Sequence, residues 1–481
     1  MKVLFTHSYF YRFDEKQWRL RRPYPPYGTM LAAAMVRQAG FEVAIYDSGL
    51  QEGPAGIKEK IEVFKPDVLV LFDDNFNYLS KMCLTVMRKA AFELIQYGKE
   101  AGCRILVNSS DATDHPEMFL EAGADVVMPG ESEMTLLELL TKDIAEAAFT
   151  EGIALVKNGS LLKTKRRTGF KELDSLPVPA WDLVNLEPYK KIWQDAHGYF
   201  SLNIATTRGC PFKCNWCAKP IYGNRYQSRS PETVMEEMKL LMTGYGATHF
   251  WICDDIFGLK PGWVKSFSGL LQQSGLHPKL KIQCRADLLL KEETIDDLVA
   301  AGLDEVWMGA ESGSQKILDA MDKGTTVKQI YLATNLLKSK GVKVCFFLQY
   351  GYIGETKADI DLTLKMVKEL MPHDIGISVS YPLPNTGFYE KVKAQFKDKQ
   401  NWTDSDDLAM MYQGTFIADF YRQLHRHTHF VFRQRFSAIN LKRILRAQSL
   451  SISTMKSAIK LPYFFVAEMV SRRKLNALEK R

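Results

Sequence analysis

The chain has 481 residues, of which 46% are hydrophobic and 25% charged, with a formal net charge of +7. That length exceeds what one hydrophobic core usually supports, so two or three domains are expected, in an ordinary globular composition that needs no disulfides. No apolar run reaches the ~18 residues of a membrane span, which excludes a transmembrane segment.

Residues 1–145 alternate strand-like and helix-like segments. Strands are expected at Lys2–Thr6, Glu42–Tyr46, Asp67–Phe72, Arg104–Asn108 and Asp125–Met128. Helices are expected over Tyr27–Ala39 and near Ser80–Lys99, with Gly130-Glu131-Ser132-Glu133 opening another. This alternation predicts an α/β domain with a parallel, Rossmann-like sheet. Ligands of such folds bind outside the carboxyl ends of the strands. Those ends carry His7-Ser8, Asp73-Asp74-Asn75, Asn108-Ser109-Ser110 and Gly130-Glu131. The N-terminus reads as the first strand, without the basic start and long apolar core of a signal peptide, so a reducing cytoplasm is the expected setting.

Residues 146–199 read as a connector. Its Pro177-Val178-Pro179-Ala180-Trp181 segment is extended, because each proline disfavours helix in the residue before it, and Trp181 is a candidate pin. Over 200–400 a second series follows, with strands at Leu202–Ala205, His249–Cys253, Lys281–Gln283, Glu305–Met308, Val342–Leu348 and Ile375–Val379. The first intervening helix starts with Ser230 as N-cap, Pro231 at its first position and Glu232 in its first turn. Six βα units predict a (β/α)6 partial TIM barrel with its working groups at the carboxyl ends of the strands. Residues 401–481 are expected to form a basic helical C-terminal region. From Tyr421 to Arg481 there are 14 Lys and Arg against Glu468 and Glu479, a net charge of +12 that leaves −5 for the rest.

Eight cysteines occur, at 83, 103, 210, 214, 217, 253, 284 and 345, and five are scattered in or near apolar runs as small hydrophobes. Cys210, Cys214 and Cys217 differ, standing at CxxxCxxC spacing after the strand Leu202–Ala205. Three thiolates from one short loop hold three corners of a [4Fe–4S] cube and leave the fourth iron open to a small molecule. An electron-transfer ferredoxin would close the cube with a fourth cysteine. The competing readings are a zinc site that recruits His249 or Cys253 and three unligated thiols.

The stretch Arg208-Gly209-Cys210-Pro211-Phe212-Lys213-Cys214-Asn215-Trp216-Cys217 resembles the signature of the radical S-adenosylmethionine (SAM) superfamily, including the aromatic residue before the third cysteine. The resemblance implies a [4Fe–4S] cluster on the three cysteines. It further implies that SAM chelates the open iron and that one electron cleaves it to a 5′-deoxyadenosyl radical. Asp254-Asp255-Ile256-Phe257-Gly258 resembles the family's acidic turn, and Met308–Ser314 supplies Glu311 and Ser312 for the ribose or methionine moiety. Gly351-Tyr352-Ile353-Gly354-Glu355-Thr356 looks like the adenine-side turn, and Arg285 is placed to face the cofactor carboxylate. The implied SAM contacts are thus Trp216, Asp254, Arg285, Glu311, Ser312, Gly351 and Gly354. Glycines and carboxylates also end strands simply as helix caps.

Ahead of such a barrel, residues 1–145 resemble the cobalamin-binding domains of the subgroup that includes the anaerobic magnesium-protoporphyrin ester cyclase and radical methyltransferases. Pro25-Pro26-Tyr27-Gly28 and Pro129-Gly130-Glu131-Ser132-Glu133 carry this resemblance, which covers roughly 1–400 and implies Ser109, Gly130 and Glu131 on the cobalamin side. The DxHxxG loop of many cobalamin proteins has no counterpart. The nearest stretch, Asp73-Asp74-Asn75-Phe76-Asn77-Tyr78, lacks histidine, so no loop histidine is implied as a cobalt ligand. A domain that binds nothing is the competing reading, and His7 reads as a satisfied strand-end histidine before it reads as a corrin contact.

The expected function is a cobalamin-dependent radical SAM enzyme that methylates an unactivated carbon of a small or lipid-like substrate. Cyclisation or oxidation without methyl transfer is the alternative, and a non-catalytic iron–sulfur protein is the alternative from another class. A tRNA methylthiotransferase would need its own N-terminal cysteine triad, whereas only Cys83 and Cys103 precede residue 200. An electron donor such as flavodoxin or ferredoxin is the expected partner. The basic tail reads as a face for anionic lipid at the inner membrane, as a cover over an apolar substrate, or as a solvated helical cap. Nucleic acid ranks below these because no RNA-binding module is attached. His425, His427 and His429 read as packing or surface residues before they read as a metal site.

Overall fold

The computed structural model describes residues 1–82, 84–142, 147–291, 294–396, 401–446 and 451–480. Cys83 and the expected boundaries at 145 and 400 lie outside the described residues.

The first sheet contains β1 (Lys2–Thr6), β2 (Glu42–Tyr46), β3 (Val68–Phe72), β4 (Arg104–Asn108), β5 (Val126–Val127), β6 (Ala154–Lys157) and β7 (Ser160–Lys163). Their order is β2-β1-β3-β4-β5-β6-β7, and the first five are parallel. β1 lies between β2 and β3, so the chain reverses direction across the sheet there, and a doubly wound sheet binds its ligand at that reversal. β3 is buried along its whole length, as expected of a central strand covered on both faces. Helix α1 (Tyr27–Gln38) lies on one face and α2 (Thr85–Glu100) on the other.

The sheet does not stop at residue 145. β6 and β7 extend its edge antiparallel and place Ala154–Lys163, expected as connector, within the first sheet. The cause is local: Asn158 and Gly159 both take positive φ (51° and 76°), the two-residue turn whose twist matches paired strands. Of the remaining connector, Trp181 is buried between the modules. Its ring lies 6.1 Å from that of Tyr27, and its indole N–H donates to Glu237 in α3 (Pro231–Tyr245) at 3.4 Å.

The second module contains β8 (Ser201–Ile204), the short pair β9 (Thr207–Arg208) and β10 (Gln227–Ser228), then β11 (His249–Ile252), β12 (Lys279–Cys284), β13 (Leu303–Glu311), β14 (Lys343–Tyr350) and β15 (Asp374–Val379). The six main strands are parallel and run in sequence order from β8 to β15. Ser230 caps α3 by accepting from Thr233 N at 3.2 Å.

The tail is helical: α4 (Ala418–Leu445), α5 (Ile452–Ile459) and α6 (Leu461–Glu479). α4 packs beside β14, where Tyr350 and Thr428 share a hydrogen bond of 3.1 Å. Residues 402–405 fasten the second module to the first: Thr85 N donates to the Trp402 carbonyl at 2.9 Å and Ser405 Oγ donates to Asp14 at 2.8 Å. His427 is buried 4.0 Å from Glu468, and the His425 and His429 rings stand 4.7 Å apart. Burial lowers His425 and His427 to about 4, so these histidines are neutral packing groups near neutral pH. No metal-binding group of three or more side chains forms there among the described residues.

Candidate functional site

The cysteine loop leaves the carboxyl end of β8, and its base is closed by the antiparallel pairing of β9 with β10. Gly209 turns the chain out of β9 at φ 79°, and a Cβ there would collide with the Arg225 carbonyl. Asp254, just beyond β11, accepts from Thr206 N at 2.7 Å, from Thr207 N at 3.0 Å and from the Thr206 hydroxyl. Burial pushes its carboxyl up to about 6 despite these donors. The Asp254 carboxylate thus pins the loop's entry.

Arg208 fastens that entry to the first sheet. Its guanidinium is 3% exposed and pairs with Glu131 in the turn after β5 and, at 2.7 Å, with Glu133 at the start of the helix that follows. Glu131 meets Arg225 through its second oxygen. The rings of Phe76, Phe170 and Tyr222 surround Arg208 at 5.2–5.8 Å. A second bridge joins Lys81, after β3, to Asp255 at 2.5 Å, and against the cost of burial that carboxylate holds Lys81 above the ordinary lysine range. The carboxyl ends of the two sheets therefore face each other across the cysteine loop.

Cys210, Cys214 and Cys217 are free thiols, each partly exposed. Arg285, following β12, brings Nη1 to 3.8 Å from Cys214 Sγ, lies 3.8 Å over the Phe212 ring and is held by Asp287 at 2.9 Å. Burial pushes the Cys217 thiol up to about 12 and raises Cys210 as well, so thiolates at these positions need a cation beside them. Iron held by the three cysteines would supply one, and its binding would release the protons. Asn215, inside the loop, donates to the Ala320 carbonyl and to Asp322 (2.8 and 2.7 Å) and accepts from Tyr352 at 2.7 Å. Among the described residues no three or more Cys, His, Asp or Glu converge to hold a single ion. His249 sits at the far end of β11, bonded to Ser201 at 2.9 Å, and Cys253 is buried. A tetrahedral zinc site would need a fourth ligand beside the three cysteines, whereas a cube with one open corner needs none.

Around the loop, Glu311 ends β13 in the left-handed region at φ 55°, beside a register shift between Gly309 and Glu311. Its carboxylate takes Lys323 at 2.8 Å, both groups being buried, and Lys323 stands 5.8 Å from the Trp216 ring centre. Trp216 packs against the cluster of Ile317, Met321, Tyr352 and Phe388, and its indole N–H has no partner among the described residues. Ser312 shares a hydrogen bond with Thr363 at 3.2 Å and accepts from Ser314 N at 3.1 Å. Gly351 (φ 82°) donates its N–H to Glu355 at 2.6 Å, and the Gly354 carbonyl (φ 79°) accepts from Lys316 at 2.9 Å. Trp216, Asp254, Arg285, Glu311, Ser312, Gly351 and Gly354 all lie in the cysteine loop or at carboxyl ends of the same sheet.

On the facing side, Ser109 caps a short helix through Ala112 N at 2.9 Å. Gly130 takes φ 77°, and its carbonyl accepts from Asn108 at 2.8 Å. Glu131 is engaged by the two arginines. His7 bonds Asp47 at 2.9 Å, and Asp73 accepts from Ser8 N and Oγ at 2.7 and 2.8 Å. Among the described residues, Tyr9 Oη, Ser80 Oγ, Ser132 Oγ and His7 Nδ1 are buried on this side without partners, donor and acceptor groups of the kind a polar ligand satisfies. Glu133, Arg208, Arg225, Asn215 and Lys323 were not singled out from the sequence. Glu133, Asn215 and Arg208 stood inside quoted motifs, but the pairing of Arg208 with its carboxylates joins residues 75 and 77 apart, beyond any local pattern.

Residues 204–367 match the family model of the Radical SAM superfamily. The chain is 27% identical over 376 residues to an uncharacterized methyltransferase of Pyrococcus horikoshii, covering 76% of this chain and 78% of the relative. It is 24% identical over 405 residues to the anaerobic magnesium-protoporphyrin IX monomethyl ester cyclase of Rubrivivax gelatinosus, covering 82% and 70%. The fold is shared with the radical S-adenosylmethionine methyltransferase TsrM of Kitasatospora setae, solved with cobalamin and a [4Fe–4S] cluster bound. That match has a TM-score of 0.67 at 18% identity and covers 82% of this chain and 75% of the other. The cysteine loop and most of the six-stranded sheet that carries it fall within this match, so residues 204–367 of this chain carry a radical SAM domain.

Proposed function

We propose that the chain is a cobalamin-dependent radical SAM methyltransferase acting on an unactivated carbon of a small or lipid-like substrate. When bound, the cluster and SAM supply a 5′-deoxyadenosyl radical, and cobalamin supplies a methyl group. Cys210, Cys214 and Cys217 hold the cluster in this reading. Trp216, Asp254, Arg285, Glu311, Ser312, Gly351 and Gly354 frame the SAM side, Asp254 by fixing the loop entry. Ser109, Gly130 and Glu131 frame the cobalamin side, Glu131 by orienting Arg208. An electron donor such as flavodoxin or ferredoxin completes the system.

The carrying observation is that the carboxyl ends of both sheets meet at the cysteine loop through the buried Arg208–Glu131–Glu133 group. A ligand bound at the first sheet's reversal point then lies beside chemistry performed at the second. The methyltransferase relative and the cobalamin bound to the structural neighbour support the same reading. The cyclase relative keeps ring closure or oxidation as the second reading.

The test is anaerobic reconstitution of the chain with iron, sulfide and cobalamin, followed by reductant and SAM carrying a deuterated methyl group. The proposal expects retained cobalamin, 5′-deoxyadenosine, and transfer of the labelled methyl group from SAM to the protein-bound cobalamin. Deoxyadenosine without methyl transfer would favour cyclisation or oxidation. No deoxyadenosine at all would contradict both readings.

A further inference from the structure

The C-terminal helices carry a surface that the catalytic reading does not use. α5 and α6 bury one edge against α4 through Thr454, Ala458, Phe464, Ser471 and Leu475. Their opposite edge is as apolar as the buried one: Ile452 is 72% exposed, Ile459 76%, Tyr463 63%, Phe465 59% and Val466 52%, with Leu445 at the end of α4 exposed by 76%. Nine of the 25 exposed large hydrophobic residues among the described residues fall between 436 and 470. Contiguous patches of this kind mark interaction sites rather than ordinary surface.

The charges around the patch have one sign. Arg435, Lys442, Arg443, Arg446, Lys456 and Lys460 are exposed beside it, and none pairs with a carboxylate among the described residues. Between residues 420 and 478 the one acid is Glu468, and it is turned inward between His427 and Arg472. A second copy of this chain would bring two such cationic faces together, so self-association through the patch is opposed by repulsion. No helix among the described residues is long and apolar enough to cross a membrane. An apolar stripe bordered by basic side chains, on helices that cannot span, fits the interface of an anionic bilayer, where the stripe enters the acyl boundary and the cations meet lipid phosphates.

We propose that α5, α6 and the end of α4 form a docking surface for anionic lipid membranes. The inference is independent of which reaction the active site performs. The full chain, purified anaerobically, is floated with phosphatidylcholine vesicles with and without phosphatidylglycerol, at low and high salt. Binding is expected with the anionic vesicles, to weaken with salt, and to be absent with neutral ones. Ile459→Glu combined with Phe465→Glu removes binding. Lys456→Glu combined with Lys460→Glu weakens it by about tenfold or more. Both variants change exposed side chains and leave the melting temperature and SAM cleavage unchanged. Equal binding to neutral vesicles, or none to anionic ones, overturns the proposal. So does a concentration-dependent dimer that Ile459→Glu returns to monomer, which would name a second copy as the occupant.

Discussion

Arg208 is the residue on which the two modules turn. It stands two positions before Cys210 and is buried between Glu131 and Glu133. Removing one partner of a buried ion group leaves the others uncompensated at a cost of about 3–5 kcal/mol. Arg208→Ala is therefore expected to lower stability by that amount and to reduce the iron retained per chain, read by thermal melts and iron assay of the anaerobic protein. A mutant that keeps full iron and stability would remove the clasp from the account. Glu355 makes a pH prediction. It is fully buried beside Gly351, and burial raises its carboxyl to about 8 from an ordinary 4.5. The folded state thus holds this proton more tightly than the unfolded one, so the group destabilises the fold increasingly as pH rises from about 4.5 through 8. Glu355→Gln removes that penalty. The variant is expected to melt higher than the parent above pH ~8, by at most a few kcal/mol in stability, with the difference shrinking towards acid. A pH-independent difference between the two would show that Glu355 does not titrate this way.

At the scale of elements, the decisive device is the short β9–β10 pair that closes the cysteine loop at its base. Gly209 permits the turn by taking φ 79°, a conformation that costs a residue with a Cβ roughly 1–2 kcal/mol before any clash. Gly209→Ala is expected to leave the parallel sheets folded while cutting cluster occupancy, measured as visible absorbance and iron per chain. Unchanged occupancy would mean that the loop tolerates another exit. The main strands were legible because apolar runs alternate with helical periodicity, and β1, β2 and β4 lie where the pattern put them. One feature was readable but passed over. Asn158-Gly159 is a strong hairpin signal, yet its flanking strands of four residues each are too short to stand out. The helix expected near Ser80–Lys99 is split into Tyr78–Lys81 and Thr85–Glu100, with Leu84 extended between them. There the chain bends to bring Lys81 to Asp255, a demand of the interface and not of local propensity.

For the whole molecule, function depends on two strand-end surfaces held face to face. The cysteine triad could be read directly, because three ligands on one loop form a local motif. The groups that aim the loop could not, since Arg208 with Glu131 and Lys81 with Asp255 join residues 77 and 174 apart in sequence. Phe76 and Tyr222, with rings 5.2 Å apart, bridge the same gap. The strip from Trp402 to Ser405 ties the end of the second module back to the first. The clasp thus makes the cluster loop answer to the first sheet, and the central claim is that SAM chemistry at Cys210, Cys214 and Cys217 works together with a corrin held there. The most direct measurement is the fate of SAM with a deuterated methyl group on anaerobically reconstituted, cobalamin-loaded protein under reductant. The account predicts about four irons per chain, 5′-deoxyadenosine, and the label transferred to the bound cobalamin, all lost together in Cys214→Ala. An intact cluster that leaves SAM uncleaved would contradict it.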